Sequence, residues 1–75
     1  MNMLILADIG RNIAQARHLR GDKECIMAKA LKIDDSTLSK IECGRYPSLK
    51  VSLLLDIVIY LEIPLHEILP PPPHT

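Results

Sequence analysis

The stretch MAKALKIDDSTLSKIE, residues 27–42, decides the fold of this 75-residue chain. Apolar residues recur at helical spacing before the turn Lys32-Ile33 and again after it, so the stretch predicts two short amphipathic helices. The second helix begins with a run of polar residues, which leaves one of its faces open. The stretch therefore predicts an all-α chain in which that polar face is available to a partner.

Turn chemistry supports two separate helices rather than one long helix. Asp34 is a suitable N-cap for the second helix, with Ile33 and Leu38 at the positions of a hydrophobic staple. Gly44 suits the residue after its last turn. Two short helices joined in this way are typical of a helix-turn-helix motif, which places its second helix in the major groove of DNA.

Length and composition restrict the architecture further. The chain is long enough for one domain at most, with a small core. Apolar residues make up 48%, but the aromatic residues are only two Tyr. An aliphatic core favours packed helices over strands. The same composition lacks the aromatic platforms on which proteins that bind single strands or RNA stack the bases.

Charge is zero overall but unevenly distributed. All nine basic residues lie between Arg11 and Lys50, together with five acidic residues, so this span carries a net charge of +4. The remainder carries four acidic residues and no Lys or Arg. A basic body with an acidic end is compatible with one face directed toward phosphate, and scattered, solvated charge is the alternative.

Several kinds of function are not expected. Cys25 and Cys43 lack a CxxC partner and the His spacing of a metal site, so we interpret them as free thiols in a reducing cytosol and predict no metal. No catalytic motif or phosphate-binding loop is present, so we predict neither an enzyme nor a cofactor. The apolar stretch 51–61 is too short to cross a membrane, which together with the absence of a secretory signal predicts a cytoplasmic protein.

Other helices are predicted on both sides of the central pair. The first spans residues 8–20, with Asp8 as its cap, Leu19 on its buried stripe and Gly21 at its end. Residues 1–8 form either an N-terminal arm or an extension of this helix. The second helix covers residues 23–31, and its predicted cap is Asp22.

After the central pair, a helix over residues 49–61 is expected to follow a cap at Ser48. It is apolar nearly all round, which indicates either the central helix of a small domain or a contact with another chain. A short helix, Leu65–Leu69, follows Pro64. Residues 70–75 form a proline-rich tail that favours an extended conformation.

Residues 9–69 resemble the Cro/repressor-type helix-turn-helix family, also called the lambda-repressor-like or XRE domain. The resemblance implies an all-α, five-helix DNA-binding domain that binds double-stranded operator DNA as a homodimer and regulates transcription. Lys32 and Glu62 stand where this family commonly has glycine, and Glu24 stands where it usually has a phosphate-binding Gln. The residues that carry the resemblance are Ile9, Gly10, Ile13, Arg17, Met27, Ala28, Ser36, Thr37, Leu38, Ser39, Ile41, Glu42, Gly44, Pro47, Ser48, Leu49, Leu54, Leu61, Ile63, Leu65, Glu67 and Leu69.

Positions in the family imply roles for residues of this chain. Asp35, Ser36 and Lys40 occupy the base-facing positions of the recognition helix. Arg17 and Glu42 match a buried ion pair between the first and third helices. The residues expected at or beside the DNA backbone are Glu24, Thr37, Ser39, Arg45, Tyr46 and Ser48, to which we add Lys50 for its charge.

Each base contact has a chemical rationale and an alternative. Lys40 can donate to guanine O6 and N7, or it is a solvated surface lysine. Asp35 can accept from cytosine N4, or it serves only the helix dipole. Ser36 can donate to a base or a phosphate, or it is an ordinary first-turn serine.

We therefore predict a homodimeric, sequence-specific regulator, with Leu65, Ile68, Leu69 and exposed parts of the fourth helix at the dimer interface. The alternative is an antitoxin-like interaction module that binds a protein partner and no longer reads DNA. That alternative depends on Glu24, Asp34 and Asp35, since three carboxylates directed toward DNA would repel phosphate. A nonspecific nucleoid protein is a third reading, distinguished by salt-sensitive binding without a preferred sequence.

Overall fold

The computed structural model describes the backbone of residues 3–70 and the side chains of residues 5–70. Within this range the chain is all-helical, which confirms the predicted all-α class. The elements are α1 (Met3–Arg20), α2 (Glu24–Leu31), α3 (Asp35–Glu42), α4 (Val51–Leu61) and a short 3-10 helix (Leu65–Glu67).

The last element is shorter than predicted. A short helix was predicted over Leu65–Leu69, and the structure has a 3-10 helix over Leu65–Glu67, in which the Ile68 N–H donates to the Leu65 carbonyl at 3.0 Å. Pro64 and Pro70 bracket this turn and leave no room for a longer α-helix. The described part of the chain therefore has four α-helices and one 3-10 turn. The predicted tail beyond Pro70 lies outside the described residues.

The start of α1 also differs from the prediction. Because the helix begins at Met3, residues 3–8 are an extension of it, and Asp8 cannot be its cap. Asp8 instead faces Arg11 one turn later, at 3.4 Å. Gly21 ends α1 as predicted, since it has a φ of +78° and its N–H donates to the His18 carbonyl at 2.9 Å.

The core lies between α1, α2, α3 and α4. Ile68, the residue after the 3-10 helix, closes one end of it. Leu19 was predicted to be buried but is 83% exposed. Helical spacing identifies a face of a helix, but it does not show where the neighbouring helices stop covering that face. The fully or nearly fully buried apolar side chains are Leu6, Ile9, Ile13, Met27, Ala28, Leu38, Ile41, Leu54, Ile57, Val58, Leu61 and Ile68.

Two predicted caps are wrong. Lys23 and Lys50, rather than Asp22 and Ser48, occupy the N-cap positions of α2 and α4. Asp22 accepts hydrogen bonds from the Tyr60 hydroxyl at 2.7 Å and from Arg20 Nε at 3.0 Å. These bonds, the one from Tyr60 first, lower the pKa of the Asp22 carboxyl. The loop before α2 is thereby fastened to α4.

The crossing of α1 over α3 is very close. A Cβ atom at Gly10 would lie 2.7 Å from the carbonyl oxygen of Glu42, and closer still to the carbonyl oxygen of Ile41. Gly44, just after α3, is packed in the same way against the backbone of Ala7. Two glycines therefore set the distance between α1 and α3, and with it the position of the polar face of α3.

Candidate nucleic-acid interface

The outer face of α3 carries the residues predicted to read bases. Asp35, Ser36 and Lys40 are all exposed, whereas Leu38 and Ile41 on the opposite face are fully or nearly fully buried. This separation follows from helical geometry, because the exposed and buried positions fall on opposite sides of a wheel with 3.6 residues per turn. The structure therefore presents Asp35, Ser36 and Lys40 on one surface, and their contacts with DNA remain a prediction.

The end of α3 places a second cation beside Lys40. Gly44 adopts a left-handed conformation with a φ of +73°, which turns the chain back on the helix. As a result, the Arg45 N–H donates to the Lys40 carbonyl at 2.8 Å. Both side chains are exposed, and among residues 5–70 neither forms an ion pair with a carboxylate. Both charges are consequently available to a phosphate.

Residues expected near the DNA backbone fall into two groups. Arg45, Ser48 and Lys50 are exposed in or just after the loop that follows α3. Thr37, Ser39 and Tyr46 are half-buried, and Tyr46 packs against the hydrophobic core. The exposed group can approach a phosphate directly, whereas Tyr46 divides its surface between the core and solvent.

Beneath α3, Arg17 and Glu42 form the ion pair that the resemblance implied. Arg17 Nε donates to one carboxylate oxygen of Glu42 at 2.7 Å, and Nη2 donates to the other at 2.9 Å. A third bond joins Nη1 to the Asp22 carbonyl at 2.9 Å. The two side chains are only 9% and 7% exposed. This bidentate contact raises the pKa of Arg17 and ties α1, α3 and the loop before α2 together.

Glu24 is drawn into this ion pair, which the sequence did not indicate. It is half-buried at the start of α2. Burial raises the pKa of its carboxyl, and the nearby charge of Glu42 raises it further. Three acidic residues thus surround one buried guanidinium, since Asp22 also contributes to its field. Glu24 is as much a part of this internal network as of the surface.

We expect Glu24→Gln to stabilise the protein at neutral pH, by about 0.5 kcal/mol, a size typical of screened charges near a surface. The raised pKa means that the folded state favours the protonated carboxyl. In the wild type, the contribution of the Glu24 carboxyl to the free energy of unfolding is therefore greatest below the ordinary glutamate pKa of about 4.3. This contribution is lost as the pH rises through the raised pKa of Glu24 in the folded state. A neutral amide avoids that loss.

Thermal unfolding from pH 4 to pH 8 measures this effect. The Tm of the Glu24→Gln variant should exceed that of the wild type at pH 7, and the two should converge toward pH 4. Glu62→Gln is a control, because Glu62 is exposed and, among residues 5–70, its carboxylate forms an ion pair with Arg20 alone, at 3.3 Å. A variant that is less stable than the wild type at pH 7 would contradict the assigned environment of Glu24.

The predicted dimer residues are not equivalent in the structure. Ile68 is fully buried, and its carbonyl accepts a hydrogen bond from Asn12 Nδ2 at 2.7 Å. Its side chain belongs to the protomer core and is not available to a second chain, so this part of the prediction is corrected. Leu65 is half-buried and Leu69 is 37% exposed. Additional apolar surface lies on α4, where Val51, Leu55 and Ile59 form an exposed stripe.

Two other features concern the described residues as a whole. Between residues 3 and 70, no helix combines the length and the hydropathy needed to cross a membrane. Over the same part of the chain, His, Cys, Asp and Glu side chains form no group that could hold a metal ion.

Comparison with protein-family models gave no match, and comparison with curated proteins gave no significant relative.

Proposed function

We propose that this protein is a sequence-specific regulator of transcription that binds double-stranded DNA as a homodimer in the cytoplasm. In this proposal the five short helical segments correspond to a lambda-repressor-like domain with a helix-turn-helix formed by α2 and α3. The helix α3 enters the major groove, and the half-sites are spaced by about one helical turn, roughly 34 Å.

The observation that carries the proposal is the surface of α3. Asp35, Ser36 and Lys40 are exposed together on a helix that is held from beneath by buried Leu38 and Ile41. A rigid helix with an outward row of hydrogen-bonding side chains has the form needed to read base edges in the major groove. Arg45, just after the end of α3, adds positive charge for the phosphates, because among residues 5–70 its side chain forms no ion pair.

Backbone conformation gives independent support to the resemblance. Lys32 and Glu62 stand where the family commonly has glycine, and they have φ values of 61° and 58°. Both are C-caps in the left-handed region, which residues other than glycine seldom adopt. The chain therefore uses the glycine-type turn at both positions even though the glycines themselves are absent.

Selection from a random duplex pool at about 150 mM salt, where sequence-blind binding is weakened, tests the proposal. Enrichment of an inverted repeat is expected. Lys40→Ala should cost about 1–3 kcal/mol and relax preference at one base pair per half-site. Arg45→Ala should weaken binding to all sequences alike and reduce the salt slope by about one per protomer.

Lys32→Gln is the matched control for loss of positive charge. Lys32 is the C-cap of α2, and it lines a cleft with Asp56, Ile59 and Tyr60 of α4. Its replacement should alter neither the preferred sequence nor the salt slope. Binding without any enriched sequence would indicate the nonspecific nucleoid protein, and no binding even at low salt would refute the DNA proposal.

One observation favours the second candidate function, an antitoxin-like module that binds a protein partner. Asp34 and Asp35 are exposed at the start of α3, and among residues 5–70 neither forms an ion pair or a side-chain hydrogen bond. Asp34 stands at the N-cap but does not cap the helix through its side chain. Two free carboxylates at this place oppose a polyanion and favour a cationic partner.

A further inference from the structure

A groove of about 530 Å³ lies between α2 and the start of α3. Its lining combines apolar side chains with charged groups at the edge. We refer to it as the α2–α3 groove, and its lining residues are Cys25, Ile26, Lys29, Ile33, Asp34 and Asp35.

The apolar part of the groove has no role that the fold requires. Ile26 is 54% exposed, because Met27 and Ala28 occupy the inward face of α2. Ile33 is half-buried in the turn, with one side against the core. Ile26 and the exposed side of Ile33 can therefore pack against an apolar group of similar size from another molecule.

The charged part of the groove indicates what kind of partner fits. Asp34 and Asp35 are exposed at its edge, and Lys29 is the single cation that lines it. Glu24 lies close enough to interact electrostatically with Asp35. The lining of the groove therefore carries two negative charges and one positive charge, within a part of the sequence that is otherwise basic. Complementary charge would steer a cationic segment to this place.

The exposed apolar stripe on α4 lacks such a signal. The stripe of Val51, Leu55 and Ile59 on α4 is bordered by one acid, Asp56, and, beyond the adjacent cleft, by one base, Lys32. These charges balance, so nothing in the electrostatics of that stripe selects a partner.

We propose that the α2–α3 groove is a docking site for a basic segment of a protein partner. An aliphatic side chain of the segment packs between Ile26 and Ile33, and flanking Lys or Arg residues pair with Asp34 and Asp35. This proposal does not depend on DNA binding. Because Asp35 also belongs to the DNA-facing surface, the partner and DNA would exclude each other if both bind.

Selection of random peptides displayed on phage, against the full folded chain and without DNA, tests the docking site. The enriched peptides should combine Lys or Arg with Leu, Ile, Val or Met. A synthetic peptide of the most enriched sequence is then titrated by fluorescence anisotropy. Its affinity should fall as salt is raised, because the attraction is partly between charges.

Three variants locate the binding. Ile26→Ser should reduce peptide affinity about tenfold or more, as for a central apolar anchor. The double variant Asp34→Asn and Asp35→Asn should reduce it by a similar factor and flatten the salt dependence. Leu19→Ser is the control, since Leu19 is 83% exposed on α1 and equally dispensable to the core, and it should leave the affinity unchanged.

Circular dichroism establishes that each variant is folded, which the exposure of all four side chains favours. The proposal is overturned if no peptide is enriched, if the enriched peptides are acidic or uncharged, or if Leu19→Ser removes binding while Ile26→Ser does not. None of these outcomes bears on the duplex selection, so the two proposals fail separately.

Discussion

Replacement of Gly10 by alanine should destabilise the protein by about 3 kcal/mol or more, at the upper end of overpacking effects. In an exposed helix interior the same replacement would stabilise by about 1 kcal/mol, because alanine has the higher helix propensity. Here the added methyl group would meet the carbonyl oxygens of Ile41 and Glu42, the latter at 2.7 Å. These atoms belong to the backbone, so no side chain can move aside and α1 must separate from α3.

Gly21→Ala is the control for this variant. Gly21 has a φ of +78° but no heavy atom within 4 Å of an added Cβ, so only the backbone conformation opposes alanine, at about 1–2 kcal/mol. Urea denaturation of both variants compares the two costs. A Gly10→Ala protein as stable as the wild type, or more stable, would show that α1 and α3 are not in contact at Gly10.

Replacement of Arg17 by methionine should cost about 3–5 kcal/mol, as is typical when one partner of a buried ion pair is removed. The variant leaves the Glu42 carboxylate, only 7% exposed, without its cation and next to Glu24. It also removes the donor to the Asp22 carbonyl. For a domain of this size the loss is a large part of the total stability, about 4–11 kcal/mol. Arg17→Met should therefore loosen the fold before it alters any DNA specificity.

The double variant Arg17→Met and Glu42→Leu separates loss of the pair from loss of packing. With both charges replaced by apolar groups of similar size, most of the stability should return. Thermal and urea denaturation of the two proteins provide the comparison. An unchanged Tm for the single variant, or a double variant no more stable than the single one, would contradict a structural role for this ion pair.

Much of the local structure could be predicted from the sequence. The end of α2 at Leu31, the start of α3 at Asp35, the turn at Lys32, the inward side chains Leu38 and Ile41 and the glycine that follows α3 were all anticipated. Each depends on residues within a few positions of one another, where helical periodicity and turn preference act directly. The same local signals arrange Asp35, Ser36 and Lys40 on one face.

Predictions that depended on distant neighbours were less successful. Asp22 has the chemistry of a cap, but its carboxylate instead accepts a hydrogen bond from the hydroxyl of Tyr60, which is 38 residues away. Leu19 has the spacing of a core residue, but it lies at the rim of a groove beside the end of α4. The effect of the Glu42 charge on the pKa of Glu24 likewise depends on the packing of α2 against α3.

The sequence by itself determined that the chain is helical, that a turn at Lys32 separates α2 from α3, and which face of α3 is polar. Periodicity and turn preference decide these properties, and they act over one or two turns. Only the tertiary structure decided that Ile68 belongs to the core, that Glu24 joins the Arg17–Glu42 pair, and that Ile26 and Ile33 form a groove edged by Asp34 and Asp35. These depend on how closely the helices approach, which is set at the α1–α3 crossing by the absence of a side chain at Gly10.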